Sequence, residues 1–448
     1  MMTIETACAR AQDIVARAQA AGADAADAVL ATESATDVSV RLGKLEDVGR
    51  SESAELGLRV FVGRRSASVS TSDFSTDALG ELVARAMAMA REAPEDEWAG
   101  LAPEALLLRG PAPSLDLDDG GDVSPEALKF RALEAEDAAR AVPGVTNSEG
   151  GSASVGRGVT ALATSHGFVG GYAGSSHGVS ASVLAGAGSA MERDYAYHSA
   201  RYLADLDAPA IIGHRAGERA VARLNSARIE SGAMPVVFDP RVGNSLLGHL
   251  LGAIAGAAIA RGTSFLLDAL GTAVFGAGVD IFDDPLTPRG LRSRPFDGEG
   301  LPVAPRALVT GGVLQTWLLD SASARQLGLA PTGHAARGGA GAPGVSASNL
   351  ALQPGSVSRD ALIGGIRRGV YVTELIGMGV NGVTGDYSRG ASGFLIEDGA
   401  IGAPVSEFTI AGNLRDMFRA LVPADDLVLR YGINVPTVLV EGMTVASG

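Results

Sequence analysis

The spacing of apolar positions divides the first 92 residues into a helix, several strands and a second helix. Apolar side chains recur every three or four positions over residues 3–21, which predicts an amphipathic helix. The period changes to two between residues 26 and 70, and this predicts strands. Helical spacing returns over residues 75–92. Residues 1–92 are therefore predicted to form one α/β unit.

A second unit with the same kinds of element follows an irregular stretch. Four prolines and an acidic run interrupt the pattern over residues 93–124, which predicts a linker. Pro125 then begins a predicted helix, short strands rich in Ser, Gly and Val occupy residues 145–203, and a helix covers residues 208–226. The second α/β unit is thus predicted over residues 125–228.

The remaining residues, 229–448, have mostly strand-like patterns and few helical ones. The helical patterns are short and lie at about residues 241–261, 321–327, 359–366 and 413–420. Whole helices seldom separate consecutive strands, as a parallel sheet would require. The predicted class is α+β, with an N-terminal lobe of two helix-flanked antiparallel-sheet units and a strand-rich C-terminal domain.

The predicted helix at residues 241–261 carries glycine at every fourth position of its middle part. Gly248, Gly252 and Gly256 would share one face of this helix. Each glycine costs about 1 kcal/mol of helix propensity relative to alanine. Close approach of another backbone would offset this cost, either in tight internal packing or because the helix lines a groove or a subunit contact.

Composition and charge restrict the classes of function. Hydrophobic residues make up 46% of the chain, enough for a folded core, and the net charge of −15 argues against binding to nucleic acid. The single cysteine, Cys8, excludes an intramolecular disulfide and a Cys-rich zinc module. The longest apolar run, Leu246 to Ala260, would span only about 22 Å as a helix, against about 30 Å for a membrane. We expect a cytoplasmic protein with no nucleic-acid or membrane partner.

One segment matches a motif of serine hydrolases. Gly174–Gly178 has the pattern G-x-S-x-G around Ser176, which in a nucleophile elbow lies between a strand and a helix. Both flanks here have strand-like patterns, so a hairpin turn is the preferred interpretation, and a hydrolase that uses Ser176 is kept as a further alternative. The six histidines include no pair at a metal-binding helical spacing.

A series of distinctive motifs occupies the second half of the chain. The motifs are Gly248–Ile254, Arg261–Leu266, Pro295–Gly300, Thr332–His334, Val372–Leu375, Val383–Gly390, Pro404–Glu407 and Thr409–Leu414. Together they resemble the C-terminal domain of the TldD/PmbA family. The resemblance is strong over residues 229–448 and rests mainly on the order of elements over residues 1–228.

The resemblance implies a peptidase that is assembled from two kinds of subunit. TldD-type subunits carry H-E-x-x-x-H on the helix that begins near residue 241, and a cysteine near the C-terminus completes a zinc site. PmbA subunits, also called TldE, lack these ligands and pair with TldD as a heteromeric peptidase of unfolded or ribosomally made peptides. When the Arg-Gly-Thr-Ser motif after the helix sets the register, the His, Glu and His positions fall on Leu247, Gly248 and Gly252. None of these can bind zinc or act as a general base. The resemblance therefore implies no catalytic residue and no metal in this chain, and zinc in a TldD-like partner.

Six side chains are candidates for contact with substrate or partner, namely His249, His334, Asp386, Tyr387, Ser388 and Arg389. The last four lie between two glycines. A peptide bound as an added strand would use the backbone here, with Arg389 or Asp386 recognising its ends. Alternatively, the segment is a structural turn locked by an Asp386–Arg389 pair. His249 is either hydrogen-bonded in the core or a contact, and His334 is a contact candidate in a Gly-rich loop.

We expect the chain to be the non-catalytic subunit of a TldD/TldE-type zinc metallopeptidase that presents an extended peptide to zinc held by its partner. The alternative is a stand-alone homodimeric peptide-binding protein without protease activity. Links of the family to DNA gyrase modulation and to the maturation of peptide antibiotics are implied by the resemblance alone.

Overall fold

The computed structural model describes residues 2–339 and 341–447, which form nine α-helices and nineteen β-strands. The helices are α1 (Ile4–Ala20), α2 (Thr76–Glu92), α3 (Pro125–Arg140), α4 (Pro209–Ala222), α5 (Pro240–Ala253), α6 (Gly256–Ala260), α7 (Ser321–Leu327), α8 (Arg359–Gly364) and α9 (Leu414–Arg419). The strands of the N-terminal lobe are β1 (Ala25–Arg41), β2 (Lys44–Val62), β3 (Arg65–Thr71), β4 (Val145–Thr164), β5 (Val169–Ala185) and β6 (Glu192–Ala200). The C-terminal domain contains β7 (Gly232–Phe238), β8 (Ile281–Asp284), β9 (Arg306–Thr310), β10 (Val313–Leu314), β11 (Ala335–Ala336), β12 (Gly344–Val345), β13 (Asn349–Leu352), β14 (Arg368–Val380), β15 (Asp386–Glu397), β16 (Ala400–Asn413), β17 (Leu421–Pro423), β18 (Ile433–Asn434) and β19 (Val438–Ser447). The predicted α+β class is confirmed.

The N-terminal lobe is built on one antiparallel sheet in the order β3-β2-β1-β4-β5-β6. The pairing of β1 with β4 joins the two predicted units into a single sheet. Its strands are longer than the pattern suggested, because runs of Ser and Gly give little apolar alternation. The predicted hairpin turn around Ser176 is wrong, since this residue lies inside β5, with strand on both sides. A nucleophile elbow is excluded there for the same reason.

Helices α1 to α4 cover one face of this sheet. Alternate side chains of β1 point to that face, with Ala26, Ala28 and Leu30 against α1 and α2, and Val38 and Val40 against α3. Helices α3 and α4 pack backbone to backbone. A Cβ added to Gly213 of α4 would lie 1.9 Å from the carbonyl oxygen of Ala135 in α3, so only glycine fits.

Residues 93–124 and the C-terminal domain cover part of the opposite face. Phe168 beside β5 meets Phe296 of the C-terminal domain edge to face, with ring centroids 4.9 Å apart, and Leu107 is buried in the same cluster. The backbone N–H of Ser175 in β5 donates to the carbonyl oxygen of Leu117 (2.9 Å). The Arg325 guanidinium of α7 donates to the carbonyl oxygens of Trp98, Gly100 and Leu101. The segment predicted as a linker is therefore held against both halves of the molecule.

Five strands of the C-terminal domain close into a ring. They follow the order β16-β15-β14-β7-β19, and β19 also pairs with β16. The pair β14–β7 is parallel and the other pairs of the ring are antiparallel. A second sheet has the order β10-β9-β8-β13-β18. Both sheets contribute to one large core, which includes Phe238, Phe408 and Leu250 of α5.

The helix predicted over residues 241–261 is broken into α5 and α6. The Asp239 side chain caps the N-terminus of α5 by accepting from the N–H of Arg241 (2.9 Å). The backbone leaves the helix at Ile254, whose carbonyl oxygen accepts from the N–H of Leu318 (3.0 Å), and Gly256 then donates to the Leu318 carbonyl oxygen (2.8 Å). This pairing with a distant segment interrupts the helix.

Of the two alternatives for the three glycines, tight internal packing is wrong at Gly248 and Gly252, and a groove or a subunit contact there stays a prediction. A Cβ on Gly248 or Gly252 would meet nothing within 4 Å, and both glycines are exposed. Gly256 belongs to α6, and a Cβ there would lie 2.4 Å from Ser323 Oγ. Tight packing is thus found only at the glycine that is not on α5.

No helix within residues 2–339 and 341–447 is long and apolar enough to cross a membrane.

Candidate functional site

The solvent-facing side of α5 opens onto a polar pocket where the two halves of the molecule meet. The pocket has a volume of about 310 Å³. Strand β6 and the residue after α4 form one wall, the first two turns of α5 the second, and β14 and β15 the third. Its lining consists of Arg193, Asp194, Tyr195, Arg223, Arg241, Val242, Asn244, Ser245, Thr373, Glu374, Leu375 and Arg389.

Asp194 is the anionic centre of one wall. Its side chain is 3% exposed, and the Arg241 guanidinium donates to both of its oxygens (2.8 and 3.1 Å). Arg223 lies 3.6 Å from the same carboxylate and donates to Glu374 at 2.5 Å. Burial would raise the pKa of Asp194, but the hydrogen bonds and charge of Arg241 outweigh it and hold the pKa below its ordinary value. These pairs join β6, α4, α5 and β14.

Sequence reasoning missed this cluster. A usable signal was present, because Asp194 alternates with Ala196 and His198 at the inward positions of β6. A carboxylate at an inward strand position needs a buried cation to compensate it. The sequence did not reveal that the cations come from Arg223 and Arg241.

Arg389 lies on the opposite wall without an anionic partner. Its Nε–H donates to the carbonyl oxygen of Ile376 (3.3 Å). Within the part of the chain that the structure describes, no carboxylate lies within 4 Å of its guanidinium, which marks it off from the other three arginines of the pocket. Its charge is therefore free to act on a bound molecule.

His249 and Tyr387 lie together next to Arg389. Their rings meet edge to face with centroids 5.8 Å apart. The hydroxyl of Tyr387 and Nε2 of His249 are both buried and find no hydrogen-bond partner among the residues described. Burial raises the pKa of Tyr387 to about 12. Burial, reinforced by the charge of Arg389, lowers the pKa of His249, so the imidazole is neutral near pH 7. The hydrogen-bonded core role considered for His249 is not what the structure shows at Nε2.

The alternative of a structural turn locked by an Asp386–Arg389 pair is wrong. Both residues belong to strand β15, where residues three apart point to opposite faces. Asp386 is exposed and accepts from Thr384 Oγ1 (2.6 Å) and Asn413 Nδ2 (3.2 Å), and these hydrogen bonds lower its pKa. Ser388 is also exposed, on the same face as Asp386.

The backbone of this segment is not open to an added strand. Strand β15 lies between β14 and β16 and pairs with both, including at Tyr387 and Ser388. A peptide therefore cannot extend the sheet at Asp386–Arg389, as the sequence had suggested.

His334 lies in the interior of the C-terminal domain, where it is 3% exposed. Its Nδ1 is 2.8 Å from Thr332 Oγ1, and its Nε2 is 3.3 Å from the buried carboxylate of Asp283. Both ring nitrogens have partners within the chain. The predicted contact of His334 with substrate or partner is therefore wrong for this conformation.

The residues on α5 do not fit a zinc ion. Leu247 is 1% exposed and faces the core, whereas Gly248 and Gly252 face the solvent and carry no ligand atom. Across residues 2–339 and 341–447, no three His, Cys, Asp or Glu side chains come together in a way that could hold a metal ion. Cys8 is far along the chain on α1, and burial raises the pKa of its thiol.

Models of one protein family match nearly the whole chain. The PmbA/TldA metallopeptidase domain 1 matches residues 26–90, the central domain residues 118–224 and the C-terminal domain residues 231–447. These matches follow the two parts of the N-terminal sheet and the ring-containing domain.

Full-length relatives agree with the family models. Metalloprotease PmbA of Escherichia coli O157:H7 is 39% identical over 425 residues, which cover 94% of this chain and 92% of the relative. The crystal structure of a candidate modulator of DNA gyrase from Bacteroides thetaiotaomicron has a TM-score of 0.90 and 28% identity, with full coverage of both chains. The fold is also that of TldE from Thermococcus kodakarensis, with a TM-score of 0.85 at 22% identity over 97% of this chain and 99% of that one. The chain belongs to the PmbA/TldD metallopeptidase family.

Proposed function

We propose that this chain is the non-catalytic subunit of a heteromeric zinc peptidase. The zinc and the general base would belong to a TldD-like partner, and the substrate would be an extended peptide that is unfolded or ribosomally made. Family membership supplies the peptidase context, and the geometry of α5 supports the division between two subunits. A cytoplasmic location remains a prediction from the sequence.

The observation that carries the proposal is the bare face of α5, by which we mean the exposed side of the helix at Gly248 and Gly252, where no side chain projects. At the positions where the resemblance expects His, Glu and His, the chain has one buried leucine and two glycines. Gly248 and Gly252 are exposed and lie one and two turns of α5 beyond Asn244 of the pocket lining, and a Cβ at either would meet nothing within 4 Å. Such a surface leaves room for a peptide or for a partner's active-site elements to approach closely.

The chain's own residues would then bind and orient rather than cleave. Asp194, Arg223 and Arg241 form one wall of ion pairs. Asp194 pairs with both arginines, and Arg223 also pairs with Glu192 and Glu374. Arg389 provides a guanidinium that no carboxylate of the described residues pairs with, and it lines the pocket beside α5. A peptide that lies along α5 would meet this charge.

Purification of the tagged chain from its native cell, with metal analysis of each recovered chain, tests the proposal. We expect a homologous chain that bears H-E-x-x-x-H to co-purify, with about one zinc in that chain and peptide cleavage only by the complex. Stoichiometric zinc and cleavage in this chain alone would contradict the proposal. Recovery of self-associated chain only would instead support the homodimeric peptide-binding protein.

A pair of matched variants tests whether the bare face of α5 matters. Gly248→Trp should abolish cleavage by the complex, because the indole fills the space beside the pocket. Gly80→Trp on α2 is the control, since Gly80 is also exposed on a helix with nothing within 4 Å of an added Cβ. Equal activity of the two variants would show that the α5 face plays no part.

A further inference from the structure

Four arginines line the pocket beside α5, and three of them are neutralised within the chain. Arg241 pairs with Asp194, Arg223 pairs with Glu374, and Arg193 lies 3.3 Å from Glu149. Asp194 and Glu374 are the two carboxylates of the lining, and both are used in these pairs. Arg389 remains as a half-buried cation that faces the pocket without a counter-charge.

Other donors of the same pocket are also left without partners. The hydroxyl of Thr373 is buried, its residue is 6% exposed, and it finds no hydrogen-bond partner among the residues described. The Nε–H of Arg241 is likewise buried and unpaired. Leaving a buried donor unsatisfied destabilises the protein, so an acceptor that enters the pocket and reaches this donor gains free energy. The pocket therefore has unpaired hydrogen-bond donors and an unpaired positive charge, and both favour a ligand with acceptor atoms and negative charge.

We propose that this pocket binds a carboxylate, with Arg389 as the residue that pairs with it. Because the proposed function supplies an extended peptide, the carboxylate would be the C-terminus of that peptide or an acidic side chain within it. A volume of about 310 Å³ accommodates one terminal residue rather than a whole peptide. Arg389 presents a planar fork that matches a carboxylate, and Thr373 would donate to one of its oxygens.

Calorimetric titration of the purified 448-residue chain with three short peptides tests the site. The peptides share an alanine-based sequence and differ in whether and where they carry a carboxylate. The probes are N-acetyl-tetraalanine as the free acid, the same peptide as the amide, and N-acetyl-Ala-Ala-Asp-Ala amide. We expect at least one carboxylate peptide to bind about tenfold or more tightly than the plain amide at low salt. Preference for the free acid identifies the C-terminus as the ligand, and preference for the Asp peptide identifies a side chain. Equal binding of all three, or no binding of any, contradicts the proposal.

Variants assign the effect to one arginine. Arg389→Gln should remove the preference, and Arg389→Lys should keep part of it, because lysine retains the charge but not the fork. Arg368→Gln is the matched control, since Arg368 lies outside the pocket at the start of β14 and already pairs with Glu230 (3.0 Å), and it should change affinity by less than about threefold. An equal loss in Arg368→Gln and Arg389→Gln would overturn the assignment. The titration needs neither zinc nor partner, so its failure is separable from a failure of co-purification.

Discussion

At the scale of single residues, the meaning of a glycine depends on what a Cβ at its position would touch. Gly248 and Gly252 lie on the open side of α5, whereas Gly256 is wedged against α7. The three looked alike in sequence because their spacing is the same. Only the surroundings separate glycines that a fold requires from glycines that a surface tolerates.

Alanine at Gly248 or Gly252 should therefore stabilise the protein. Each replacement adds helix propensity and restricts the unfolded chain without a steric cost, which is worth about 0.5–1 kcal/mol in the free energy of unfolding. Gly80→Ala on α2 should give a similar gain. Gly256→Ala should instead lose about 1–3 kcal/mol, because its Cβ would lie 2.4 Å from Ser323 Oγ and 2.7 Å from Leu319 Cδ2. Urea unfolding of the four variants measures the sign of each change in the free energy of unfolding. A lower free energy of unfolding for Gly248→Ala would contradict the open space at this face of α5.

The candidate site residues show where sequence reasoning stops at this scale. His249 lies on the helix that periodicity predicted, and Tyr387 and Arg389 share one face of β15 because side chains alternate along a strand. The partners of each group were not predictable. His334 is satisfied by Asp283, a residue about fifty positions earlier, and Asp386 by Asn413 on the neighbouring strand. Such pairs depend on strand register, which one sequence does not supply.

At the scale of elements, the buried Asp194 carboxylate fastens β6 to α5 and α4. Asp194→Asn should lower the free energy of unfolding by about 3 kcal/mol or more, because it leaves Arg241 without its counter-charge. Glu149→Gln breaks a similar pair that is 42–49% exposed, and it should cost no more than about 1 kcal/mol. Denaturant unfolding of both variants compares their free energies of unfolding. Equal losses would show that the buried pair of Asp194 stabilises the fold no more than the exposed pair of Glu149.

The pH dependence of this contribution has a definite sign. The pKa of Asp194 is lowered in the folded protein, so its stabilising effect is present above its unfolded pKa of about 3.9 and is lost as pH falls through the folded value. The difference between wild type and Asp194→Asn should therefore shrink in acid.

Most elements were predictable from periodicity, and the exceptions have physical causes. Helices α1 to α4 fall close to their predicted residues because each has an apolar stripe and, for three of them, a Ser or Thr N-cap. The break between α5 and α6 was not predictable, because it depends on pairing with Leu318, more than sixty residues later. Residues 93–124 have the composition of a linker, yet Leu107 is buried in a cluster with Val29 of the N-terminal sheet and Phe296 of the C-terminal domain, and Leu101, Leu115 and Leu117 are also buried.

At the scale of the whole molecule, buried charges lie at the junction of the N-terminal sheet and the C-terminal domain. Asp27 of β1 is 1% exposed and accepts from Arg59 of β2 and from Arg337 of the C-terminal domain. Their charges outweigh burial and hold the pKa of Asp27 below its usual range. Glu299 is also buried there, and its oxygen accepts from the N–H and the hydroxyl of Ser321 (2.8 and 2.7 Å).

Glu299→Gln should remove a pH-dependent loss of stability. Burial raises the pKa of Glu299 to about 7, above its unfolded value near 4.5. Its contribution is therefore fully present below about pH 4.5 and is lost as pH rises to 7. Above pH 7 the variant should be more stable than wild type by an amount on the order of 3 kcal/mol, because the amide is never charged and still accepts from Ser321. Thermal unfolding between pH 5 and 8 measures this. Glu52→Gln, an exposed position, should follow the wild-type profile, and parallel curves for Glu299→Gln would contradict the assignment.

The ring of strands in the C-terminal domain constrains how the protein can be made. Val438 of β19 pairs with Phe238 of β7, and β19 also closes the ring against β16. On a ribosome that adds 5–20 residues per second, roughly 10–40 s pass between the emergence of these two strands. The N-terminal lobe can fold during that time, but the ring cannot close until residues 438–447 have emerged. We therefore expect the apolar face of β7 to be exposed to aggregation for longer than any other strand of the ring.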